Sequence, residues 1–227
     1  NINFTVKNLQ TISSIEREII YCRKNIELVD IDLARIPDII DDFPYNNSIS
    51  FINYFPSGFE NNFRIVFEDN YLLNNKSDND YNDLVVDYNL ELYKNSQNQI
   101  NKIICKFNLI ARGSDSDHSL KLNIGHPEIK VDVILKRYNN INELIYEETK
   151  NCINKSILTL FSSTKESFYP KTIKYNNTDM ELDYSSGYKA KIELTFTNPI
   201  KLNEINSFPF DLYLFVNETE KRIHLPF

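Results

Sequence analysis

The sequence predicts a mainly β fold, an antiparallel β-sandwich or jelly-roll-like domain with one or two short helices. Three observations carry this. Tyr (14), Phe (15) and abundant Ile are residue types that fit a pleated sheet, while Ala, the best helix former, stands only at Ala34, Ala111 and Ala190. From about residue 60 onward, apolar and polar residues alternate with period two. The alternating segments are joined mostly by short turns, and no helical pattern separates consecutive strands, which disfavours βαβ units. The 227 residues are 41% apolar and 25% charged, enough to bury a core and too apolar for a chain disordered by composition.

Residues 1–62 read as an N-terminal extension packing on a main domain at 63–227. Within the extension, Ser13 or Ser14 can cap a short amphipathic helix at about 14–24, with Ile15, Ile19 and Cys22 on one face. Residues 26–40 are ambiguous between strand and extended loop, and Pro37, Pro44 and Pro56 punctuate the stretch up to the main domain. Phe63–Phe67 is a candidate strand. In 84–93, Leu84, Val86, Tyr88, Leu90 and Leu92 take one face, with Asp87, Asn89 and Glu91 on the other. A polar turn at 94–98 leads to an antiparallel partner at 102–111. Ile129, Val131, Val133 and Leu135 mark another strand, 157–161 a short one, and Ala190, Ile192, Leu194 and Phe196 the clearest of all. Residues 212–216 and 222–225 close the chain. Ile141, Leu144, Ile145, Glu148 and Cys152 have helical spacing and predict a helix over 141–152 packed on the side.

A net charge of −7 argues against a phosphate-binding surface spread over the fold, so no nucleic-acid partner is expected. No apolar stretch approaches the roughly 20 residues that span a bilayer, and no signal peptide is visible. The chain opens at Asn1 without Met, which reads as a processed or excised piece. Cys22, Cys105 and Cys152 form neither a zinc spacing nor a disulfide framework; Cys105 shares a face with Ile103 and Phe107 and is expected to be buried, and a Cys22–Cys152 pair stays open. His118, His126 and His224 make no metal-type pair and read as structural or surface residues.

The informative chemistry is acidic. Between residues 68 and 91 stand Glu68, Asp69, Asp78, Asp80, Asp83, Asp87 and Glu91, against the single lysine Lys76. Asp78, Asp80 and Asn82 are spaced by two, so in a curled loop their oxygens converge as in the first half of a calcium loop. Hard oxygen donors suit Ca²⁺ rather than Zn²⁺. The candidate metal ligands are Asp78, Asp80, Asn82 and Asp83, with Glu68 or Asp69 completing the shell. The glycine and terminal Glu of an EF-hand are absent. The plainer alternative is a solvated acidic turn whose side chains cap backbone amides. A second acidic loop, Asp115-Ser116-Asp117-His118, reads as a hairpin tip with the option of closing over the first.

The run Phe67-Glu68-Asp69, then Asp78-Asn79-Asp80-Tyr81-Asn82-Asp83-Leu84-Val85-Val86-Asp87-Tyr88, resembles the "FED…GDYDFNDLVVDY" signature of the LruC-type domain family of bacterial secreted and envelope proteins. Phe107–Gly113, Asn177-Thr178, Ile192–Phe196 with Pro199, Phe208–Asn217 and Arg222–Pro226 resemble that family's later segments, so the likeness spans about 63–227. Ser77 stands where the family usually has Gly, and Tyr71-Leu72-Leu73 replaces its Leu-Trp-Pro. The resemblance implies a β-sandwich from a secreted or cell-surface protein, favours calcium over the bare turn, and implies no catalytic mechanism. The expected function is a non-catalytic, calcium-stabilised module for adhesion or recognition of a protein or glycan ligand. The alternatives are a structural domain of a larger envelope or fibre protein, or an acid-carboxylate hydrolase using Asp80, Asp83 or Glu68.

Overall fold

The computed structural model describes residues 28–69, 81–124, 130–153, 157–171, 175–181, 183–205 and 210–225. Their strands are β1 (Phe51–Phe55), β2 (Phe63–Phe67), β3 (Leu84–Lys94), β4 (Ile100–Ala111), β5 (His118–Asn123), β6 (Lys130–Tyr138), β7 (Leu144–Ile153), β8 (Ile157–Phe161), β9 (Phe168–Tyr169), β10 (Ser186–Gly187), β11 (Lys189–Ile200), β12 (Asp211–Val216) and β13 (Arg222–His224). The helices among the described residues are two single 3-10 turns, Lys165–Ser167 and Leu202–Glu204. The first sheet runs β1-β3-β4-β11-β6-β7, with β2 sharing the β1 edge of β3; the second runs β13-β12-β5-β8; β9 and β10 form a two-stranded ribbon. Every pairing is antiparallel, as the sequence predicts.

The alternation seen in the sequence decides which face is buried. On β3, Leu84, Val86, Tyr88, Leu90 and Leu92 point inward, and Ile103, Cys105, Phe107 and Leu109 do so on β4. Opposite residues in an antiparallel pair share a face, so the register lays Leu90, Cys105, Ile192 and Leu135 in one buried row across four strands. The second sheet answers with Leu120, Leu122, Leu158, Leu160, Leu212 and Leu214, and all belong to one apolar cluster. Aromatic rings form a second row: Phe63 stacks on Tyr88 at 5.5 Å between centroids, and Tyr88 on Phe107 at 6.1 Å. This ladder gives the Phe and Tyr excess a structural use in a chain without Trp.

Three expectations change. Residues 141–152 are not a helix: 141–143 lie in the turn after β6, and the rest belong to the hairpin arm β7, paired with β6 from Leu144 to Ile153. The apolar spacing there also fits a strand, and the turn before it decides between them: the Asn139 side chain accepts the amides of Ile141 and Glu143, and Asn142 takes a φ of 64°. The Asp115–His118 loop is not a hairpin tip, because β4 lies in the first sheet and β5 in the second; residues 112–117 carry the chain between them. Within the N-terminal extension, β1 is a strand of the main sheet, and 28–50 is a loop whose acids cap amides: Asp30 takes the amides of Ala34 and Arg35, and Asp32 that of Ala34. The helix expected at 14–24 and Cys22 lie outside the described residues.

Cys105 is fully buried and is a free thiol, as expected, and burial pushes its pKa well above the usual thiol range. Native protein should therefore leave Cys105 unlabelled by a thiol reagent while denatured protein labels it, with mass spectrometry locating the adduct. Rapid native labelling at Cys105 would show that the first sheet opens at its centre.

Candidate metal centre

β2 and β3 form an antiparallel pair whose last rung is Phe67 opposite Leu84. Continuing that register by one residue sets Glu68 against Asp83. The hydrophobic strands thus deliver two carboxylates to the mouth of their own connection, and Asp69 follows immediately. All three are buried, at 5%, 5% and 4% relative exposure, with oxygens within 4.8 Å of one another. The Asp69 N–H donates to Asp83 Oδ2, and the Tyr81 N–H to Glu68 Oε2 at 3.2 Å. Tyr81 has a φ of 51°, so the chain turns back into the cluster there.

The crossover between the sheets closes over this mouth. Gly113 N–H donates to the Asn82 carbonyl at 2.9 Å. Ser114 Oγ donates to Asp69 Oδ2 at 2.5 Å, and His118 Nε2, at the start of β5, meets the same oxygen at 2.8 Å. Lys221, on the turn between β12 and β13, donates to the Asp69 carbonyl at 2.8 Å. Arg112 is buried beside this group, donates to the Ser116 carbonyl, and feels the charges of Asp117, Asp115, Asp83 and Glu218.

The electrostatics divide the acids. Burial raises the Asp69 pKa, but the hydrogen bonds of His118 and Ser114 and the charges of His118 and Lys221 outweigh it, holding Asp69 below the usual carboxylate range. Asp83 goes the other way. Burial first, then the charges of Asp69 and Glu68 and a side-chain hydrogen bond with Glu68, push it up to about 7 against the opposing pull of the Asp69 amide. A proton between Glu68 and Asp83 or a cation would each relieve the same repulsion.

Of the sequence-predicted ligands, the structure brings Glu68, Asp69 and Asp83 together. Asn82 is half-buried, with Oδ1 filling the space that a Cβ at position 113 would occupy. Asp78 and Asp80 lie outside the described residues. The second acidic loop contributes His118, while its acids serve elsewhere: Asp115 accepts from Tyr175 at 2.6 Å, and Asp117 from Ser163, the Lys165 amide and Asn217. Sequence reasoning missed Gly113, Ser114 and Lys221 as neighbours of the cluster. The available signal was the Arg112-Gly113-Ser114 run ahead of the second loop.

A β-sandwich with a buried acidic cluster at a sheet crossover is therefore the class that fold and site define. The chain belongs to the family described as a domain of unknown function (DUF4842), which matches residues 98–227. The acidic run at 67–88 lies before that span, and the likeness at 107–113, 192–199 and 208–226 lies within it. No curated protein matches the chain. Among solved structures, the fold is similar to a protein of Bacteroides ovatus described as a candidate lipoprotein, with a TM-score of 0.54 and 11% identity over 76% of this chain. The chain covers 55% of that protein's length.

At Gly113 a Cβ would fall 1.9 Å from Asn82 Oδ1 and 3.0 Å from the Asn82 carbonyl. Gly113→Ala should cost about 1–3 kcal/mol, read as a thermal midpoint lower by roughly 2–12 °C. An unchanged midpoint would mean that Asn82 moves aside and that the crossover is not clamped to it.

Proposed function

We propose that the chain is a non-catalytic module of a secreted or cell-envelope protein, stabilised by a calcium ion at Glu68, Asp69 and Asp83, and that it serves adhesion or recognition of a protein or glycan ligand. The observation that carries the metal is the convergence of three buried carboxylates, one of which is otherwise driven toward protonation. Oxygen donors of this kind suit a hard cation that takes 6–8 ligands. One oxygen of each carboxylate already accepts a hydrogen bond, so Asp78 and Asp80, between Asp69 and Tyr81 in the chain, are the proposed further ligands along with water. The envelope location draws on the likeness to the Bacteroides ovatus protein and on the LruC-type reading of the 67–88 run. Such a cation would pin the β2–β3 connection to the sheet crossover. Hydrolysis by the same acids would need two carboxylates across an accessible cleft; burial side by side supports binding instead.

The test is a thermal melt in EDTA and in CaCl₂. For a dissociation constant near 10 µM, roughly 1 mM Ca²⁺ stabilises by about 2.7 kcal/mol, on the order of 5–11 °C for a domain of this size. Asp83→Asn keeps an acceptor for the Asp69 amide and removes the charge, so it should abolish the calcium shift and leave the EDTA midpoint equal or higher. Superimposable wild-type curves, with no bound metal by elemental analysis, would leave the cluster as a proton-sharing structural element.

A further inference from the structure

β7 is the outer edge of the seven-stranded sheet, and among the described residues only β6 pairs with it. Its side chains from Leu144 to Asn151 are exposed except for the partly covered Glu148. The second sheet is four strands wide, so the buried row Leu90, Cys105, Ile192 and Leu135 meets Glu148 on reaching β7. Tyr146, Glu148 and Lys150 share that inner face, with Glu148 and Lys150 at 2.9 Å, while Glu147, Thr149 and Asn151 take the outer one; Ile145 is the extra residue of a bulge between Leu144 and Tyr146. Among the described residues no strand takes the outward backbone donors and acceptors of β7, which overhangs the core and is a template for another strand.

Inward charges ordinarily discourage such pairing. Here they select a partner. In antiparallel pairs opposite residues share a face, so two copies of β7 related by a two-fold axis must centre on one residue facing itself. Centred on Thr149, the pairing sets Glu148 opposite Lys150 of the second copy and Lys150 opposite its Glu148. Glu147 meets Asn151. Moving the centre to Glu147, Glu148 or Lys150 sets like charges face to face, which is destabilising. From Glu147 to Asn151 the strand is therefore self-complementary when centred on Thr149.

We propose that the chain forms a two-fold dimer through β7 centred on Thr149, joining two seven-stranded sheets into one continuous sheet. This is independent of the calcium reading. Sedimentation of the 227-residue chain across the micromolar range should show a concentration-dependent dimer. Glu148→Lys or Lys150→Glu alone sets like charges opposite one another on both sides of the axis and should weaken dimerisation about tenfold or more. The double variant Glu148→Lys/Lys150→Glu reverses both pairs and should recover the dimer. In a Cys22→Ser/Cys152→Ser background, Thr149→Cys should cross-link two chains on mild oxidation, whereas Glu147→Cys, roughly 14 Å from its own copy in this register, should not. A monomer at every concentration, or a dimer indifferent to the single reversals, overturns the proposal.

Discussion

Asp69, buried where the chain changes sheets, joins elements that lie far apart in the sequence. A buried charge must be paired or hydrogen-bonded, since leaving it bare costs several kcal/mol. The Asp69 carboxylate meets that demand with Ser114 on the crossover and His118 at the start of β5, and Lys221 near the chain's end donates to the Asp69 backbone carbonyl. Its own amide holds Asp83 at the start of β3. Moving any of these elements would leave a buried polar group unpaired. One end of the sandwich is thus held by polar contacts, and the crossover, the end of β2, the start of β3 and the β12–β13 turn are constrained together.

The same constraint bears on what the acids can do. Asp69 is committed as an acceptor and stays ionised, whereas Asp83 sits beside two other carboxylates and is pushed up to about 7. The buried Arg112 lends positive charge to this neighbourhood. A group arranged in this way is fitted to hold a proton or a cation.

Away from that end, the two sheets differ in width, and the mismatch shapes the exposed surface. The outer face of the first sheet places Lys106, Lys191 and Lys136 side by side across three strands, an arrangement that would repel. Each lysine has a carboxylate in reach: Glu91 for Lys106, Glu193 for Lys191 at 2.8 Å, and Glu147 for Lys136 at 3.4 Å. The face is a lattice of mixed charge that keeps a broad open sheet in water. β7 continues this exposed surface, with Glu147, Glu148, Thr149, Lys150 and Asn151 beside the exposed Leu144, Ile145 and Tyr146.

What the sequence determined by itself was the position and the buried face of its most regular strands. Period-two alternation is a local property, so Leu84–Leu92, Ile103–Leu109 and Ala190–Phe196 announce their inner sides without knowledge of their neighbours. The acidity around Glu68, Asp69 and Asp83 was legible for the same reason. Tertiary structure alone decided which acids meet. Glu68 and Asp83 face each other through the β2–β3 register, and Asp69 finds Ser114 and His118 only because the chain changes sheets at 112–117. It also decided β7, where apolar spacing fitted helix and strand alike and pairing with β6 chose the strand. Sequence separation carries no record of such pairings: a backbone hydrogen bond across a sheet depends on register and topology, while the side chains that benefit are written tens of residues apart.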